Sequence, residues 1–238
     1  GEVWIGTDKK TSRRVAIKFF MHRSGLDWMQ LAREVEKLVL LSTDRYVVQL
    51  LDVGWESDPP YYVMEYIENG SLEDLLREKG RLDVRDADEL FREIAIGLLH
   101  AHGKGVLHCD LKPANILVEK SVERALLTDF GLARAMDDAS LTRSGVIAGT
   151  PQYMSPEQAD SRRGPVDHRS DVYSLGVSLY ECLTLEHPFG GKTSQEIMRA
   201  ILTEEPRRPS KLEPRVPRDL ETICLHAMEK NAEMRYSS

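Results

Sequence analysis

The spacing of hydrophobic positions changes character near residue 70. Before it, Val15-Ala16-Ile17-Lys18-Phe19-Phe20 and Tyr61-Tyr62-Val63-Met64 are β-branched and aromatic runs, which predict strands within residues 3–20 and 45–68. Between them, residues 27–42 repeat their apolar side chains at helical spacing. From Leu72 onward the pattern is mainly helical, and 72–79, 84–103, 171–185, 194–203 and 218–229 are the clearest helices. Strands first and helices second predict an α+β protein of two lobes. Asn69-Gly70, a turn dipeptide, makes the join at 65–71 a hinge.

Composition narrows the field without naming a function. With 238 residues, 41% of them hydrophobic and 30% charged, the chain can fill two small lobes that share a cleft, and wholesale disorder is excluded. Its 32 Lys and Arg against 39 Asp and Glu give a net charge of −7, so no basic surplus is available for nucleic acid. Arg162-Arg163 and Arg207-Arg208 read as solvated surface pairs. Cys109, Cys182 and Cys224 are odd in number and widely spaced, which suits reduced thiols in the cytoplasm better than a disulfide framework. No apolar run approaches the ~18 residues of a membrane span, so no membrane contact is expected within this segment. The chain opens at Gly1 in a strand pattern, so it reads as a fragment, and any membrane anchor of the parent would lie outside it.

The candidate chemistry begins with two acidic positions. Asp110 lies in His108-Cys109-Asp110-Leu111-Lys112-Pro113-Ala114-Asn115, where Pro113 argues for a loop. Ile116-Leu117-Val118 and Ala125-Leu126-Leu127-Thr128 read as two short strands, and a hairpin made of them would set Asn115 beside Asp129. A carboxylate and an amide oxygen converging at a strand end suit Mg²⁺, which takes few protein ligands and completes its shell with phosphates. Asp110 and Lys112 would face the same spot. Either tripeptide alone would pass as a solvated turn, whereas both at this spacing would not.

Lys18 interrupts an apolar strand, and by itself would snorkel to solvent. Glu34 is more telling. Trp28, Leu31, Val35, Leu38 and Leu41 define one apolar arc of a helix, and Glu34 falls inside it. A carboxylate facing the core needs a partner, for which Lys18 is the natural choice. The alternative puts Glu34 at the edge of the arc, reaching water.

Together, Val15-Ala16-Ile17-Lys18, the His108–Asn115 loop, Asp129-Phe130-Gly131 and Ser155-Pro156-Glu157 resemble eukaryotic-like (Hanks-type) serine/threonine protein kinases in order and spacing. The resemblance covers essentially the whole chain. Gly149-Thr150-Pro151-Gln152-Tyr153-Met154-Ser155-Pro156-Glu157-Gln158 and Asp171-Val172-Tyr173-Ser174-Leu175-Gly176 are similar to bacterial members. It implies a two-lobed protein-kinase-like fold, with a small strand-rich N-lobe (1–66) carrying one main helix and a larger helical C-lobe (71–238). The first strand, the start of a glycine-rich loop and the last helix would then be missing.

The same resemblance implies ATP and Mg²⁺, or Mn²⁺ in its place, in the cleft between the lobes. Lys18 would hold the α- and β-phosphates and be positioned by Glu34. Asp129 and Asn115 would ligate the metal, Asp110 would accept or orient the proton of the substrate hydroxyl, and Lys112 would neutralise γ-phosphate charge. Met64 would be the gatekeeper, the Glu65–Ile67 backbone would hold adenine, and Val3, Ala16 and Leu117 would enclose its ring. Lys112 and Thr150 match the Ser/Thr-specific pattern, so protein serines and threonines are the expected substrates. Ser140, Thr142 and Ser144 become candidate autophosphorylation sites. A catalytically silent pseudokinase and a small-molecule phosphotransferase are the rival readings.

Three further expectations follow from the resemblance. Cys109 stands where most members have Arg, placing the chain in the non-RD subgroup; its thiol is either a small packed side chain or a redox-sensitive group. Glu157 and Arg235 would form an ion pair tying the activation segment to the helical lobe, unless they are unrelated surface charges. Asp171 would grip the backbone around His108-Cys109-Asp110, and Phe130 would stack on His108 beneath Leu38 and Leu50. The plain alternative for Asp171 is an acid that opens its helix and satisfies the helix dipole.

Overall fold

Residues 2–20, 25–119, 124–130 and 151–237 are described by a computed structural model. Strands β1 (Glu2–Thr7), β2 (Arg14–Phe19), β3 (Leu50–Gly54) and β4 (Tyr61–Glu65) form one antiparallel sheet in the order β1-β2-β4-β3. In this register Lys18 lies opposite Val3 on one side and Tyr62 on the other, and Ala16 lies opposite Met64. Helix α1 (Gly25–Leu40) comes between β2 and β3 in sequence and buries Leu31, Val35 and Leu38, with Leu41 just beyond its end. The strand-rich half with one main helix is therefore present.

Trp28 departs from the expected arc. Its ring is 37% exposed and stacks on Trp55, with centroids 5.5 Å apart. The buried arc therefore begins at Leu31 and not at Trp28, whose ring is partly covered by Trp55 instead of by the core.

The second half is helical: α2 (Leu72–Lys79), α3 (Val84–Gly103), α4 (Pro156–Ala159), α5 (His168–Thr184), α6 (Ser194–Thr203), α7 (Pro209–Leu212) and α8 (Arg218–Ala227). Local chemistry sets the boundaries. Ser71 and Asp74 make a reciprocal capping box at the start of α2, and Asp83 caps α3 through the amide of Asp86. Gly176 lets α5 and α8 approach: a Cβ there would meet the Cβ of Ala227 at 2.8 Å. Helix α5 starts three residues before the Asp171 expected to open it, capped by Asp167 through the amide of Arg169. The polar run His168-Arg169-Ser170 carries no apolar periodicity, which is why spacing alone placed the start late.

A small hairpin at the junction sets the site. Strands β5 (Ile116–Glu119) and β6 (Arg124–Leu127) pair antiparallel, with Ile116 opposite Leu127. Segments leading to and from the large sheet hold it on both sides. The Leu127 amide donates to the Tyr46 carbonyl at 2.7 Å and the Val48 amide to the Leu127 carbonyl at 3.0 Å. On the other strand, the Val118 amide donates to the carbonyl of Gly70 at 3.1 Å. Gly70 itself has φ of 73°, a left-handed conformation that suits glycine in the Asn69-Gly70 turn. Residues at the mouth of this hairpin therefore face the large sheet at fixed height.

Candidate active site

Two clusters of charge meet at that mouth. In the first, Lys18 on β2 donates from Nζ to Glu34 Oε1 on α1 at 2.7 Å and to Asp129 Oδ1 just after β6 at 2.8 Å. Glu34 is buried, as its place on the apolar arc requires, and the alternative in which it reaches water does not hold. Burial pulls the Lys18 ammonium toward neutrality, but the Asp129 and Glu34 carboxylates outweigh it and hold its pKa above the ordinary lysine value. Lys18 is therefore a fixed cation. An ammonium has three protons, and these two bonds leave one direction for a further anion.

The second cluster is the loop before β5. Lys112 Nζ donates to Asp110 Oδ2 at 2.8 Å, and the Asn115 side-chain amide donates to the same oxygen at 3.0 Å and to the Asp110 carbonyl at 2.8 Å. The Asp110 side chain is nonetheless 44% exposed, so an incoming group can reach it. With the Asn115 NH₂ committed to Asp110, its Oδ1 is the end left to accept from, or coordinate, something else. The Thr128 amide donates to the Asn115 carbonyl at 3.1 Å, which ties Asn115 to the residue preceding Asp129. The hairpin thus brings Asn115 and Asp129 to one end, as its pattern predicts. Two oxygen donors from the protein, with nucleotide phosphates to complete the shell, fit Mg²⁺. Among the described residues no cluster of three or more His, Cys, Asp or Glu side chains could hold a metal by itself.

Strained backbone supports both clusters. Cys109 and Asp129 are non-glycine residues with φ of 63° and 53°. Such conformations persist only where the surroundings impose them. For Cys109 the cause is visible: its N–H donates to Asp171 Oδ1 at 2.8 Å, and its carbonyl accepts from the Gln158 side chain at 2.8 Å. Asp171, almost wholly buried, also accepts from the His108 amide at 2.8 Å and from His102 Nε2 at 2.8 Å. It grips the loop and is not a simple helix-opening acid. The buried imidazole of His108 donates from Nε2 to the Thr128 carbonyl at 3.1 Å, which leaves Nδ1 to accept from the Asp110 amide at 3.4 Å. Burial pushes its pKa down, so it packs as a neutral ring, with Phe130 at 4.8 Å between centroids. Leu38 is buried and Leu50 packs against the same core.

Cys109 resolves differently from a redox sensor. Burial, reinforced by the charge of Asp171, pushes its thiol up to about 12 despite the opposing Lys37 ammonium. Iodoacetamide at neutral pH is expected to leave Cys109 of the folded protein unmodified, read by peptide mass spectrometry. Alkylation at the rate of an unstructured cysteine would contradict this environment.

The expected adenine-facing residues are distributed over β1, the two central strands β2 and β4, the hinge and β5. Ala16 and Met64 are buried opposite each other, Leu117 is half-buried and paired with Ser71 at the hinge, and Val3 is exposed. The Thr128 hydroxyl lies 3.9 Å from the Met64 sulfur, so Met64 touches the residue before Asp129. Ile67 is buried, and the Glu65 carboxylate accepts from the Gln49 amide at 2.8 Å. An open pocket against the hinge is lined by Tyr66, Ile67, Glu68, Asn69 and Glu119. It does not include Val3, Ala16 or Leu117. Thr150, Ser140, Thr142, Ser144 and Gly131 lie outside the described residues.

Two participants escaped the sequence reading. Gln158 is one: Ser155-Pro156-Glu157-Gln158 carries the Ser-x-x-Gln signature of a capping box, and the box forms, but its amide also reaches across to Cys109. Tyr62 is the other. It passed as one aromatic in a strand, yet its hydroxyl donates to Glu34 Oε1 at 2.7 Å.

Residues 1–238 match the protein kinase domain family. Over its full length the chain is 35% identical to serine/threonine-protein kinase PknB of Mycobacterium tuberculosis, and also 35% identical to the probable serine/threonine-protein kinase PknB of Bifidobacterium longum. It spans only 39% and 36% of the lengths of those two relatives. A solved structure, Rad53 1-466 in complex with AMP-PNP, superposes with a TM-score of 0.79. That match covers 98% of this chain and 58% of the other at 24% identity, and it bears on the fold alone.

Proposed function

The chain belongs to the protein kinase domain family and is similar along its whole length to bacterial serine/threonine kinases, and from that premise we propose that it transfers the γ-phosphate of ATP to serine and threonine hydroxyls of proteins. One observation carries the proposal. Lys18, Glu34, Asp110, Lys112, Asn115 and Asp129 are drawn from both lobes into two hydrogen-bonded clusters at the mouth of one hairpin. A pseudokinase that only bound a partner would have no chemical need for all six.

Phosphoryl transfer asks a protein for positioning and charge neutralisation more than for covalent chemistry. Lys18, aimed by Glu34, would bind the α- and β-phosphates through its remaining donor direction. Asp129 and the Asn115 Oδ1 would hold Mg²⁺, which would offset the negative charge of the nucleotide phosphates. Asp110, anchored by Lys112 and Asn115 yet open to solvent, would orient the attacking hydroxyl and take its proton as the new P–O bond forms and ADP departs. Lys112 would offset charge on the transferred group. The hinge backbone at Glu65–Ile67, with Met64, Ala16, Leu117 and Val3 around it, would seat the adenine. Thr150 would bridge Asp110 and Lys112, and Ser140, Thr142 and Ser144 would be sites of autophosphorylation. With Cys109 in place of Arg, a phosphate on the activation segment would not be read through this position.

No described helix is long and apolar enough to cross a membrane. The substrates and partners of the whole protein follow from this reading and are part of the proposal.

The test offers the full-length protein two kinds of acceptor with γ-labelled ATP and Mg²⁺: a generic basic protein, and a mixture of sugars and amino alcohols. Acid hydrolysis of the labelled protein is expected to yield phosphoserine and phosphothreonine. Label appearing only on the small alcohols would establish the phosphotransferase rival, and label on tyrosine would overturn the assigned specificity.

A further inference from the structure

Tyr62 has no role in the chemistry above, yet it sits against the centre of the first cluster. It is fully buried, and the β2–β4 register places it directly opposite Lys18. Its ring packs beside Phe20, with centroids 5.8 Å apart. Its hydroxyl lies 2.7 Å from Glu34 Oε1, the same oxygen that accepts from Lys18 at 2.7 Å. It also lies 3.5 Å from Asp129 Oδ1, the oxygen that takes the second Lys18 bond.

We propose that Tyr62 is a positioning residue for the nucleotide phosphates: its hydroxyl fixes the Glu34 carboxylate, and through it the direction in which Lys18 points. The inference rests on the phosphate-transfer reading. A ring in this place is explained by packing, and phenylalanine would pack as well. The hydroxyl is not, because burying it is unfavourable unless it is bonded. A phenol has one proton to give, and the shorter distance assigns it to Glu34.

The arrangement also divides the work on Lys18. Glu34 and Asp129 both pull on one ammonium, and phosphates arriving at Lys18 compete with both. A Glu34 carboxylate held only by Lys18 could follow the lysine as it shifts. One held by Tyr62 as well stays in place, since Tyr62 is fixed by its strand and its ring packing. Lys18 is then aimed from a stationary point, which lowers the reorganisation needed to bind phosphate.

The experiment compares dissociation constants for ATP and adenosine in the full-length protein, in Tyr62→Phe and in Phe20→Leu. Tyr62→Phe is expected to weaken ATP by roughly tenfold, the scale of one lost bond to a charged group, and adenosine by less than about twofold. Phe20→Leu disturbs the same packing without touching a hydroxyl and removes only the distant face of the ring 5.6 Å from Lys18 Nζ, so it should lower the melting temperature and change the ATP-to-adenosine ratio by less than about twofold. An unchanged ratio in Tyr62→Phe overturns the proposal, as does the same change of ratio in Phe20→Leu. In a Glu34→Gln background Tyr62→Phe should add little, and full additivity would also overturn it. Absence of ATP binding by the unmutated protein would instead sink the phosphate-transfer reading beneath it.

Discussion

Asp129→Asn is expected to slow phosphate transfer by about 10³-fold while leaving the melting temperature within a few degrees of the parent. The substitution keeps the shape of the side chain, and asparagine tolerates the left-handed conformation at φ of 53° as well as aspartate does. What it removes is charge. Asp129 Oδ1 is one of the two carboxylate oxygens holding Lys18, and the same group is the anionic member of the proposed Mg²⁺ pair. A neutral amide cannot balance the lysine or replace a hard anionic ligand. Steady-state rates at saturating Mg²⁺ and ATP, measured beside thermal melts, give both halves of the result. A rate within a few-fold of the parent would remove Asp129 from the mechanism. Loss of fold together with rate would mean that the residue is structural.

The second large effect is on stability. Arg235 makes a two-pronged contact with Glu157, Nη1 to Oε1 at 2.7 Å and Nη2 to Oε2 at 2.8 Å, with both side chains buried. It also donates to the carbonyls of Arg169 at 2.9 Å and Glu229 at 2.7 Å, while Ser170 donates to Glu157 at 2.6 Å. These are not unrelated surface charges. Arg235→Ala would strand a buried carboxylate and two carbonyls, at a cost of about 3–5 kcal/mol. For a chain of this size that lowers the melting temperature by roughly 6–20 °C. Replacing both partners with apolar residues of similar volume should cost less than removing Arg235 alone, since no charge is left unpaired. A shift below about 1 kcal/mol in Arg235→Ala would place the pair with weak surface bridges.

The same pair predicts a pH dependence with a definite sign. Burial works to raise the Glu157 pKa, but the Arg235 fork and the Ser170 hydroxyl outweigh it and hold it below the usual 4.5. The unfolded chain therefore binds a proton at Glu157 at higher pH than the folded one. The stabilisation is complete above about pH 4.5 and is lost as pH falls through the lowered folded value. Acid titrations of stability should show this component in the parent and not in Arg235→Ala.

Much of the architecture was legible because it follows from short-range pattern. Helices α2, α3 and α6 occupy the stretches where apolar spacing put them, and the β5–β6 hairpin forms between the two short apolar runs. The Lys18–Glu34 pair was legible for a different reason: a carboxylate on an apolar arc needs a partner, and only a strand lysine was at hand. Contacts made by residues distant in sequence were not legible. Trp28 looked like core until Trp55, from another element, covered it. Gln158 reaches a carbonyl 49 positions away, and no spacing rule connects them. Tyr62 satisfied the pattern of a strand aromatic so well that nothing flagged its hydroxyl. Asp171 was legible only through the family resemblance, which implied its grip on the His108–Cys109 backbone, because local pattern alone offers the adequate explanation of an acid near a helix start.

The central claim is that the Asp110 loop and the Lys18 cluster act together on ATP and a protein hydroxyl. It is tested most directly by a paired single-turnover experiment on the full-length protein and its Asp110→Asn variant. Each is loaded with γ-labelled ATP and Mg²⁺, nucleotide binding is measured in the same samples, and a basic protein is added as acceptor. Asp110 lies outside the Lys18 cluster, so both proteins should bind ATP with similar affinity. The parent should label the acceptor at least about 10²-fold faster than the variant, the scale of losing a positioned base. Equal rates in the two, or ATP binding without transfer in either, would contradict the account.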